Sequence, residues 1–344
     1  MTWLIATMNF RRSLALSDSA VQAGRHGCGL RYSLAMEPAT GPEFDVAIAG
    51  GGPAGLAGAL VLGRMRRRVV LFDADDPAHG VSEGVHGFFG HDGIAPLELR
   101  RLGREQLRRY ESVTVRMVAV DAVRQTPGGF VVLAGGTPSE EGVVLLCTGA
   151  RYEPPQIEGA AAVWARGVYD CPYCHGWEVR DRPLAAYGPD SVGYALMLTS
   201  LSDDVVLLTD GSELEPADAA LLRSAGVVVR DDPVARLEAE GDKLARIVFV
   251  DGSTDERAGL FFMPSLLRSP LAAELGCKLD ESGAIVTDED GRTSVAGVFA
   301  AGDAAAGKKA VVLAAAAGSR AAYAINAGLA RGLFPVAGLS RTTA

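Results

Sequence analysis

Two cysteines near the middle of the chain have the spacing of a redox-active pair. The stretch "YDCPYCHGWE" places Cys171 and Cys174 on either side of a Pro-Tyr pair, with His175 immediately after them. A C-x-x-C segment can be a redox dithiol, half of a zinc site or two buried thiols. A structural zinc site takes four ligands, commonly from two such pairs, and the sequence contains no second pair. The spacing therefore favours redox chemistry, and we predict no metal site.

The other cysteines and the overall composition set the class of protein. Five cysteines are an odd and sparse number, so no structural disulfide framework is expected, and Cys147 and Cys277 are interpreted as small buried hydrophobes. A length of 344 residues, with 48% hydrophobic and 22% charged residues, predicts a globular protein of two domains. The net charge of −9 argues against nucleic-acid and anionic-membrane partners.

Nothing in the sequence predicts membrane insertion or secretion. No apolar run is long enough to cross a bilayer. Arg11 and Arg12 follow the first short apolar stretch, whereas a signal peptide carries its basic residues before it. We therefore expect a cytoplasmic enzyme. Residues 1–42 show no sustained periodicity and predict a poorly ordered extension, and residues 334–344 are taken as a C-terminal tail.

The clearest structural pattern begins with "FDVAIAG", which predicts a buried strand. A glycine-rich turn, a helix of small residues and a second strand ending at Asp73 follow it. Gly50, Gly52 and Gly55 supply the G-x-G-x-x-G of a dinucleotide-binding β-α-β unit. Gly50 allows the tight turn, Gly52 the approach of a pyrophosphate, and Gly55 the close packing of helix on strand. Asp73 lies where a carboxylate accepts hydrogen bonds from an adenosine ribose.

Further patterns divide the rest of the chain into blocks. Residues 113–149 alternate apolar and polar residues with turns between them, which predicts short antiparallel strands. Pro154 and Pro155 mark a domain boundary. A second α/β block that contains the C-x-x-C follows. After it, "VFAAGD" and a long Ala-rich segment predict a strand, a turn and a helix.

Taken together, these motifs resemble those of the low-molecular-weight thioredoxin reductases. "GGGPAG", "CTGA", "CPYC" and "VFAAGD" occur in that family's order, and the resemblance covers nearly all of residues 43–333. It implies an α/β fold of two Rossmann-like, three-layer ββα domains and a homodimer. Residues 43–157 and 258–333 would form a discontinuous FAD-binding domain. Residues 158–257 would form an inserted domain similar to those that bind NADPH.

The resemblance also assigns residues to FAD. Asp303 would hydrogen-bond the ribityl chain, with Gly302 allowing its approach. A helix would then aim its N-terminus at the isoalloxazine ring, where Lys309 and Ala310 replace the family's usual Arg-Gln pair and the backbone of Val311 is a substitute contact. The full set of FAD contacts that the resemblance implies is Gly50, Gly52, Pro53, Ala54, Gly55, Asp73, His86, Thr148, Gly149, Gly302, Asp303, Lys309, Ala310 and Val311.

The same resemblance gives the residues of the redox segment their roles. Cys174 would be the thiol next to the flavin, and Cys171 the one that meets substrate. His175 stands where the family usually has an aspartate; a histidine there can act as base to an incoming thiol or stabilise a thiolate, and capping of a backbone group is the alternative. Trp177 would line the substrate pocket or belong to the core. His86 would contact the flavin or be an ordinary loop histidine.

The second nucleotide motif departs from the family pattern. In "PLAAYGPDSVGYALML", Gly188 and Gly193 match the first and third glycines, but Asp190 stands at the middle position. A side chain there fills the space that a pyrophosphate needs, and its charge repels the phosphates. After the next strand comes Asp210, with no basic residue before Arg223 to hold a 2′-phosphate. The sequence therefore predicts that this domain no longer binds a nicotinamide nucleotide.

A C-x-x-C-H-G segment beside a degraded second nucleotide motif is similar to the dithiol oxidases that close disulfides in natural products such as gliotoxin, holomycin and romidepsin. This resemblance implies FAD-dependent oxidation of a small-molecule or peptide dithiol, with O2 as the acceptor and H2O2 as the by-product. Three alternatives stay open. They are an NADPH-linked thioredoxin reductase, a ferredoxin-linked one, and a flavoprotein without turnover that serves as a redox sensor or binding partner.

Overall fold

The computed structural model describes residues 41–337. The predicted extension up to residue 40 and the predicted tail beyond residue 337 lie outside the described residues. The strands are β1 (Phe44–Ala49), β2 (Val69–Phe72), β3 (Val113–Arg116), β4 (Val120–Thr126), β5 (Gly129–Ala134), β6 (Thr137–Leu146), β7 (Arg151–Glu153), β8 (Val168–Tyr169), β9 (Leu184–Tyr187), β10 (Val205–Leu208), β11 (Val228–Arg230), β12 (Val234–Glu240), β13 (Lys243–Phe249), β14 (Thr254–Glu256), β15 (Gly259–Phe262), β16 (Ser265–Leu267) and β17 (Val298–Ala300). The α-helices are α1 (Pro53–Arg64), α2 (Pro96–Leu107), α3 (Pro172–His175), α4 (Val192–Leu198), α5 (Pro216–Ser224), α6 (Leu271–Glu274) and α7 (Val311–Ala330).

A seven-stranded sheet carries the glycine-rich turn. Its order is β3-β2-β1-β6-β5-β4, with β17 beside the end of β6. Strands β1, β2, β3, β6 and β17 run parallel, whereas β4, β5 and the start of β6 pair antiparallel. Helices α1 and α7 pack on one face, and side chains of α6, β4 and β5 cover the other. Residues 46–49, 69–72 and 143–146 of the central strands are apolar because both faces of the sheet are covered there. This layering confirms the predicted α/β fold class.

The predicted antiparallel pairing is wrong for one strand, β3. β3 pairs parallel with β2, with Val113 opposite Val69, and the antiparallel hairpins begin only at β4. The preceding helix α2 explains the direction, because a strand–helix–strand crossover joins parallel neighbours. The alternation of apolar and polar residues predicts that a segment is a strand but not which partner it takes.

Glycines bring backbones into contact around the turn after β1. Gly50 has a φ of +114°, and a Cβ there would lie 2.1 Å from the carbonyl oxygen of Cys147. A Cβ on Gly55 would lie 1.9 Å from the carbonyl oxygen of Gly50. On α7, a Cβ on Gly318 would meet the carbonyl oxygen of Ala54 at 2.0 Å. Helices α1 and α7 therefore touch through their backbones, which fixes both helix N-termini relative to the sheet.

A second sheet is parallel and includes β8, the strand that ends just before the redox segment. Its order is β11-β10-β9-β15-β8, and an antiparallel sheet β12-β13-β14 packs beside it. β15 pairs with β9 up to Phe262, so this sheet extends past residue 257, where the sequence placed the end of the inserted block. The antiparallel pair β7 and β16 lies where the chain passes between the two larger sheets, with Glu153 opposite Ser265.

Two features of the described residues bear on the class of protein. Cys147 and Cys277 are buried in the hydrophobic clusters of the first sheet, which confirms their interpretation as small hydrophobes. Over residues 41–337, no helix has the length and apolarity to cross a membrane, and no cluster of three or more His, Cys, Asp or Glu side chains could hold a metal ion.

Candidate active site

The two cysteines of the C-x-x-C form a disulfide at the start of a single-turn helix. Cys171 and Cys174 are bonded, with their Cα atoms 5.3 Å apart. Cys171 is the N-cap of α3, and Pro172 takes the first helical position, where its missing N–H is not needed. Both cysteines are partly exposed. The pair is held in the oxidised form, which accepts electrons from an attacking thiolate.

His175, the last residue of α3, faces a loop of the first block. Its Nε2 is 3.4 Å from the hydroxyl oxygen of Ser82, and its ring stacks on Tyr169 with centroids 4.7 Å apart. Burial lowers the pKa of His175 to about 4, and repulsion from His79 and His86 adds to the effect. The imidazole is therefore neutral near pH 7, with one ring nitrogen free of a proton. Nε2 faces the hydroxyl of Ser82, and the role of His175 as a base stays a prediction.

The depressed pKa of His175 predicts a dependence of stability on pH. The unfolded chain takes up a proton near the ordinary value of 6.5, whereas the folded protein resists it until about 4, so stability is full above about 6.5 and falls as the pH drops. We expect a loss of about 2 kcal/mol between about pH 7.5 and about pH 5 that His175→Gln removes. Urea unfolding at both pH values measures it, with the exposed His91→Gln as control. Equal pH dependence in wild type and His175→Gln would contradict the assignment.

A loop of the first block lies against the redox segment of the second. Besides Ser82, this loop brings His79 Nε2 to 3.9 Å from Asp170 Oδ2. It also brings His86 Nε2 to 3.5 Å from Glu178 Oε1, while His86 Nδ1 faces Asp92 at 3.7 Å. His79 was missed by the sequence analysis, because contacts between segments so far apart in the chain leave no local pattern. The predicted flavin contact of His86 stays a prediction; its ring nitrogens face carboxylates.

On the side of the first block, Asp303 is held by a tyrosine from strand β7. The hydroxyl of Tyr152 donates to Asp303 Oδ2 at 2.8 Å. Tyr152 is buried, and burial together with the charge of Asp303 raises the pKa of its phenol, so it stays protonated and acts as a donor. Gly302 reaches a φ of +74° at the start of this turn. The hydrogen bond fixes one carboxylate oxygen of Asp303, so its orientation is set before any ligand arrives.

Open space surrounds other glycines of the first block. A Cβ on Gly52, the N-cap of α1, would have no atom within 4 Å, and the same holds for Gly149. The contrast with Gly50 and Gly55, whose added Cβ atoms would clash with backbone, is sharp. Open space beside a glycine leaves room for a ligand to approach the backbone. Helix α7 begins at Val311 with Ala310 as its N-cap, as the sequence predicted.

Comparisons with known proteins agree with this arrangement. The family model described as pyridine nucleotide-disulphide oxidoreductase matches residues 44–321. The chain belongs to this family. A probable thioredoxin reductase from Arthroderma benhamiae is 30% identical over 311 residues, which cover 78% of this chain and 76% of the relative. The thioredoxin reductase sirT from Leptosphaeria maculans is 28% identical, with coverage of 82% and 93%.

Solved structures of the same kind superpose closely. The putative thioredoxin reductase TrxB from Bacillus anthracis has a TM-score of 0.80 at 33% identity, with coverage of 85% of this chain and 100% of that one. The crystal structure of HlmI has a TM-score of 0.80 at 37% identity, with coverage of 84% and 93%. This pyridine nucleotide-disulphide oxidoreductase is thus a thioredoxin reductase-like oxidoreductase, and the resemblance seen in its sequence is confirmed.

Thioredoxin reductase-like members of this family are FAD-binding flavoproteins, and the residues of the chain fit FAD. The open position at Gly52 stands at the N-terminus of α1, where backbone N–H groups bind phosphate. Arg100 is buried beside this turn, with its Nε 3.4 Å from the carbonyl oxygen of Gly51. Its Nη1 has no hydrogen-bond partner, although Asp75 Oδ1 lies 3.2 Å away as an ion pair. An orphaned buried guanidinium nitrogen suits an anionic ligand.

Asp73, the predicted ribose contact, is already held by arginines. Its Oδ1 accepts from Arg100 Nη2 at 2.6 Å, and its Oδ2 accepts from Arg104 Nη1 at 3.0 Å. The backbone N–H of Asp75 also donates to Oδ1. These bonds balance the charge of a carboxylate that is only 3% exposed. Its contact with the adenosine ribose stays a prediction, made through whichever lone pairs the arginines leave.

The second glycine turn has the family geometry but not the family chemistry. Gly188, after β9, has a φ of +88°, and Asp190 next to it is exposed. Asp210, at the end of the following strand, is consumed by internal hydrogen bonds: Oδ2 accepts from Tyr187 Oη at 2.6 Å and Oδ1 from the N–H of Val234 at 2.7 Å. A cavity of about 250 Å³ lies at this turn, smaller than the roughly 300–1,000 Å³ of pockets for drug-sized ligands.

Two aromatic side chains stand in solvent next to the disulfide. Tyr173, between the two cysteines, is 82% exposed, and Trp177 is 65% exposed with Arg180 over its ring at 3.9 Å. The alternative prediction that Trp177 belongs to the core is therefore wrong, because the helical turn that follows α3 directs its side chain outward. Aromatic surface beside a reactive disulfide is suited to contact an apolar ligand.

Proposed function

We propose that the chain is an FAD-dependent dithiol oxidase. It closes a disulfide in a small-molecule or peptide dithiol through the Cys171–Cys174 pair, with O2 as the acceptor and H2O2 as the by-product. The observation that carries the proposal is the second glycine turn, where Asp190 stands in place of the middle glycine and Asp210 is occupied by Tyr187. Because no nicotinamide nucleotide binds at this turn, the redox pair takes its electrons from its own substrate.

Charge supports the loss of nicotinamide binding. A carboxylate about 4 Å from a phosphate near a protein surface is repelled by about 4 kcal/mol for each unit charge. Glu153 lines the same cavity as Asp190, so two carboxylates face the space that the phosphates would occupy. Both oxygens of Asp210 also accept internal hydrogen bonds, from Tyr187 and from the N–H of Val234. This domain is retained for its structure and for the redox segment it carries.

The proposed reaction begins with thiol–disulfide exchange. A substrate thiolate attacks Sγ of Cys171, helped by His175, and releases the sulfur of Cys174. The second substrate thiol then attacks the mixed disulfide, which leaves an oxidised substrate and two reduced cysteines. FAD, which the residues around the first glycine turn would hold, would supply the acceptor for the electron pair of the two cysteines and its transfer to O2. The sum is R(SH)2 + O2 → RS2 + H2O2, which balances in atoms and electrons.

A thioredoxin reductase is the second candidate function, and it rests on the names of the relatives. The protein from Arthroderma benhamiae is named a probable thioredoxin reductase, and the one from Bacillus anthracis is named a putative thioredoxin reductase. In that role, electrons would enter from NADPH or ferredoxin and leave through Cys171 to a protein disulfide. The homodimer and the cytoplasmic location that the sequence predicts stay predictions under either function.

Anaerobic mixing separates the two functions. We expect NADPH to leave the flavin oxidised, dithiothreitol to bleach it, and air to restore its absorbance with about one H2O2 per dithiol oxidised. Stopped-flow absorbance follows the flavin, and a peroxidase-coupled assay measures H2O2. Prompt bleaching by NADPH would overturn the dithiol oxidase. Bleaching by dithiol without recovery in air would show that another acceptor replaces O2.

A further inference from the structure

A buried acid–base pair lies beside the disulfide, and the proposed reaction does not use it. Asp170 directly precedes Cys171, and its side chain is 11% exposed. Its Oδ2 lies 3.9 Å from His79 Nε2, within the range of an ion pair and beyond that of a hydrogen bond. One bridging water or a small rotation of the carboxyl closes such a gap. Together, the two side chains can exchange a proton.

The surroundings of Asp170 keep its carboxyl able to take up a proton. Burial raises the pKa of Asp170; the charge of Asp303 raises it further, against an opposing effect of His79. The hydroxyl of Tyr194 donates to the backbone carbonyl of Asp170 at 2.8 Å, which fixes the backbone ahead of the disulfide. Repulsion from His79 is one of the causes that lower the pKa of His175, so a charge on His79 disfavours a proton on His175.

The pair also reaches Asp303, the predicted contact of the ribityl chain of FAD. The ring of His79 packs on Tyr152 with centroids 4.5 Å apart, and Tyr152 donates to Asp303. Because the pKa of Tyr152 is raised, its phenol keeps its proton and cannot be the store. Trp164 covers the other side of His79 at 6.4 Å. A proton on this pair therefore lies near the redox segment on one side and near the flavin contact Asp303 on the other.

The proton balance of the proposed reaction has a place for such a store. Oxidation of two cysteine thiols releases two electrons and two protons, and a reduced flavin at neutral pH keeps one proton as an anion. Conversion of O2 to H2O2 needs two electrons and two protons. One proton thus leaves when the flavin is reduced and is required again when it is reoxidised. We propose that the pair His79–Asp170 takes up this proton on flavin reduction and returns it for H2O2 formation.

This inference rests on the proposed function, in which a dithiol is the electron donor and O2 is the acceptor. The uptake of a proton with flavin reduction can nevertheless be measured without a dithiol and without O2. The experiment is an anaerobic photoreduction of the FAD-loaded protein in a Cys171→Ser, Cys174→Ser background, so that only the flavin takes electrons. Each proton taken up with two electrons shifts the midpoint potential by about 30 mV per pH unit. We expect the background protein to show the slope of two protons per two electrons between about pH 6 and about pH 8.

Substitution of either member of the pair should halve that slope. We expect His79→Gln and Asp170→Asn each to give one proton per two electrons, and the exposed His91→Gln to keep two. A one-proton slope in the background protein, or an unchanged slope in His79→Gln, would overturn the proposal. FAD content and thermal unfolding confirm that each variant is folded, and His79→Gln decides the result if Asp170→Asn does not bind FAD. If the protein does not oxidise dithiols, the same slopes are still expected. Failure of the proposed function can therefore be distinguished from failure of this inference.

Discussion

Serine in place of Cys171 or Cys174 is expected to slow the reduction of the flavin by a dithiol by on the order of a thousandfold or more. A serine hydroxyl neither forms a disulfide nor ionises near neutral pH, so the exchange that brings electrons from the substrate is lost. The measurement is the anaerobic decay of flavin absorbance after mixing with dithiothreitol.

A matched cysteine elsewhere in the chain controls this experiment. Cys277 is 7% exposed, and its thiol lies 3.6 Å from the hydroxyl of Thr293. We expect Cys277→Ser to reduce its flavin at the wild-type rate. In Cys174→Ser, the remaining Cys171 should react with an aromatic disulfide reagent faster than Cys174 does in Cys171→Ser, if Cys171 is the thiol that meets substrate. Wild-type bleaching in both serine variants would mean that dithiols reduce the flavin directly.

Gly52→Val should prevent FAD binding while leaving the protein folded. Gly52 has a φ of −79° and a ψ of −175°, which any residue adopts, and no atom lies within 4 Å of an added Cβ. A branched side chain there occupies the approach of the pyrophosphate. We expect the affinity for FAD to fall at least about 100-fold, or about 3 kcal/mol, against a loss of about 1 kcal/mol in folding stability from a poorer N-cap.

The same substitution three residues later gives the opposite result. A Cβ on Gly55 would lie 1.9 Å from the carbonyl oxygen of Gly50, so Gly55→Val should lower folding stability far more than Gly52→Val does. Flavin fluorescence titration measures the affinity for FAD, and urea unfolding of the FAD-free proteins measures stability. A Gly52→Val protein that binds FAD as tightly as the wild type would remove the cofactor from this turn.

Much of the first block could be predicted from short stretches of sequence. The strand at Phe44–Ala49 and the glycine turn appear where the local pattern placed them, and α7 follows Lys309 as the family resemblance implied. Strand periodicity and the backbone freedom of glycine act within a few residues, so a single sequence is enough to see them. The C-x-x-C spacing likewise placed both sulfurs within bonding distance on one turn.

Other features depend on which distant segments meet. The parallel pairing of β3 with β2 and the extension of the second sheet to Phe262 follow from crossovers and sheet order. Asp210 accepts a hydrogen bond from Tyr187, although Tyr187 ends β9 and Asp210 follows β10. The alternation of apolar and polar residues along a strand indicates which face of the sheet each side chain is on. It does not indicate which residue of another strand lies next to it.

The sequence by itself determined the chemistry that the chain can carry: a C-x-x-C pair, a glycine turn for FAD and a carboxylate at Asp190 in the second turn. The tertiary structure alone decided that His175 is neutral and that His79 meets Asp170. The physical reason is that spacing along the chain fixes which groups are adjacent on one turn. Protonation instead depends on burial and on charges brought from other segments, and these exist only once the blocks have packed together.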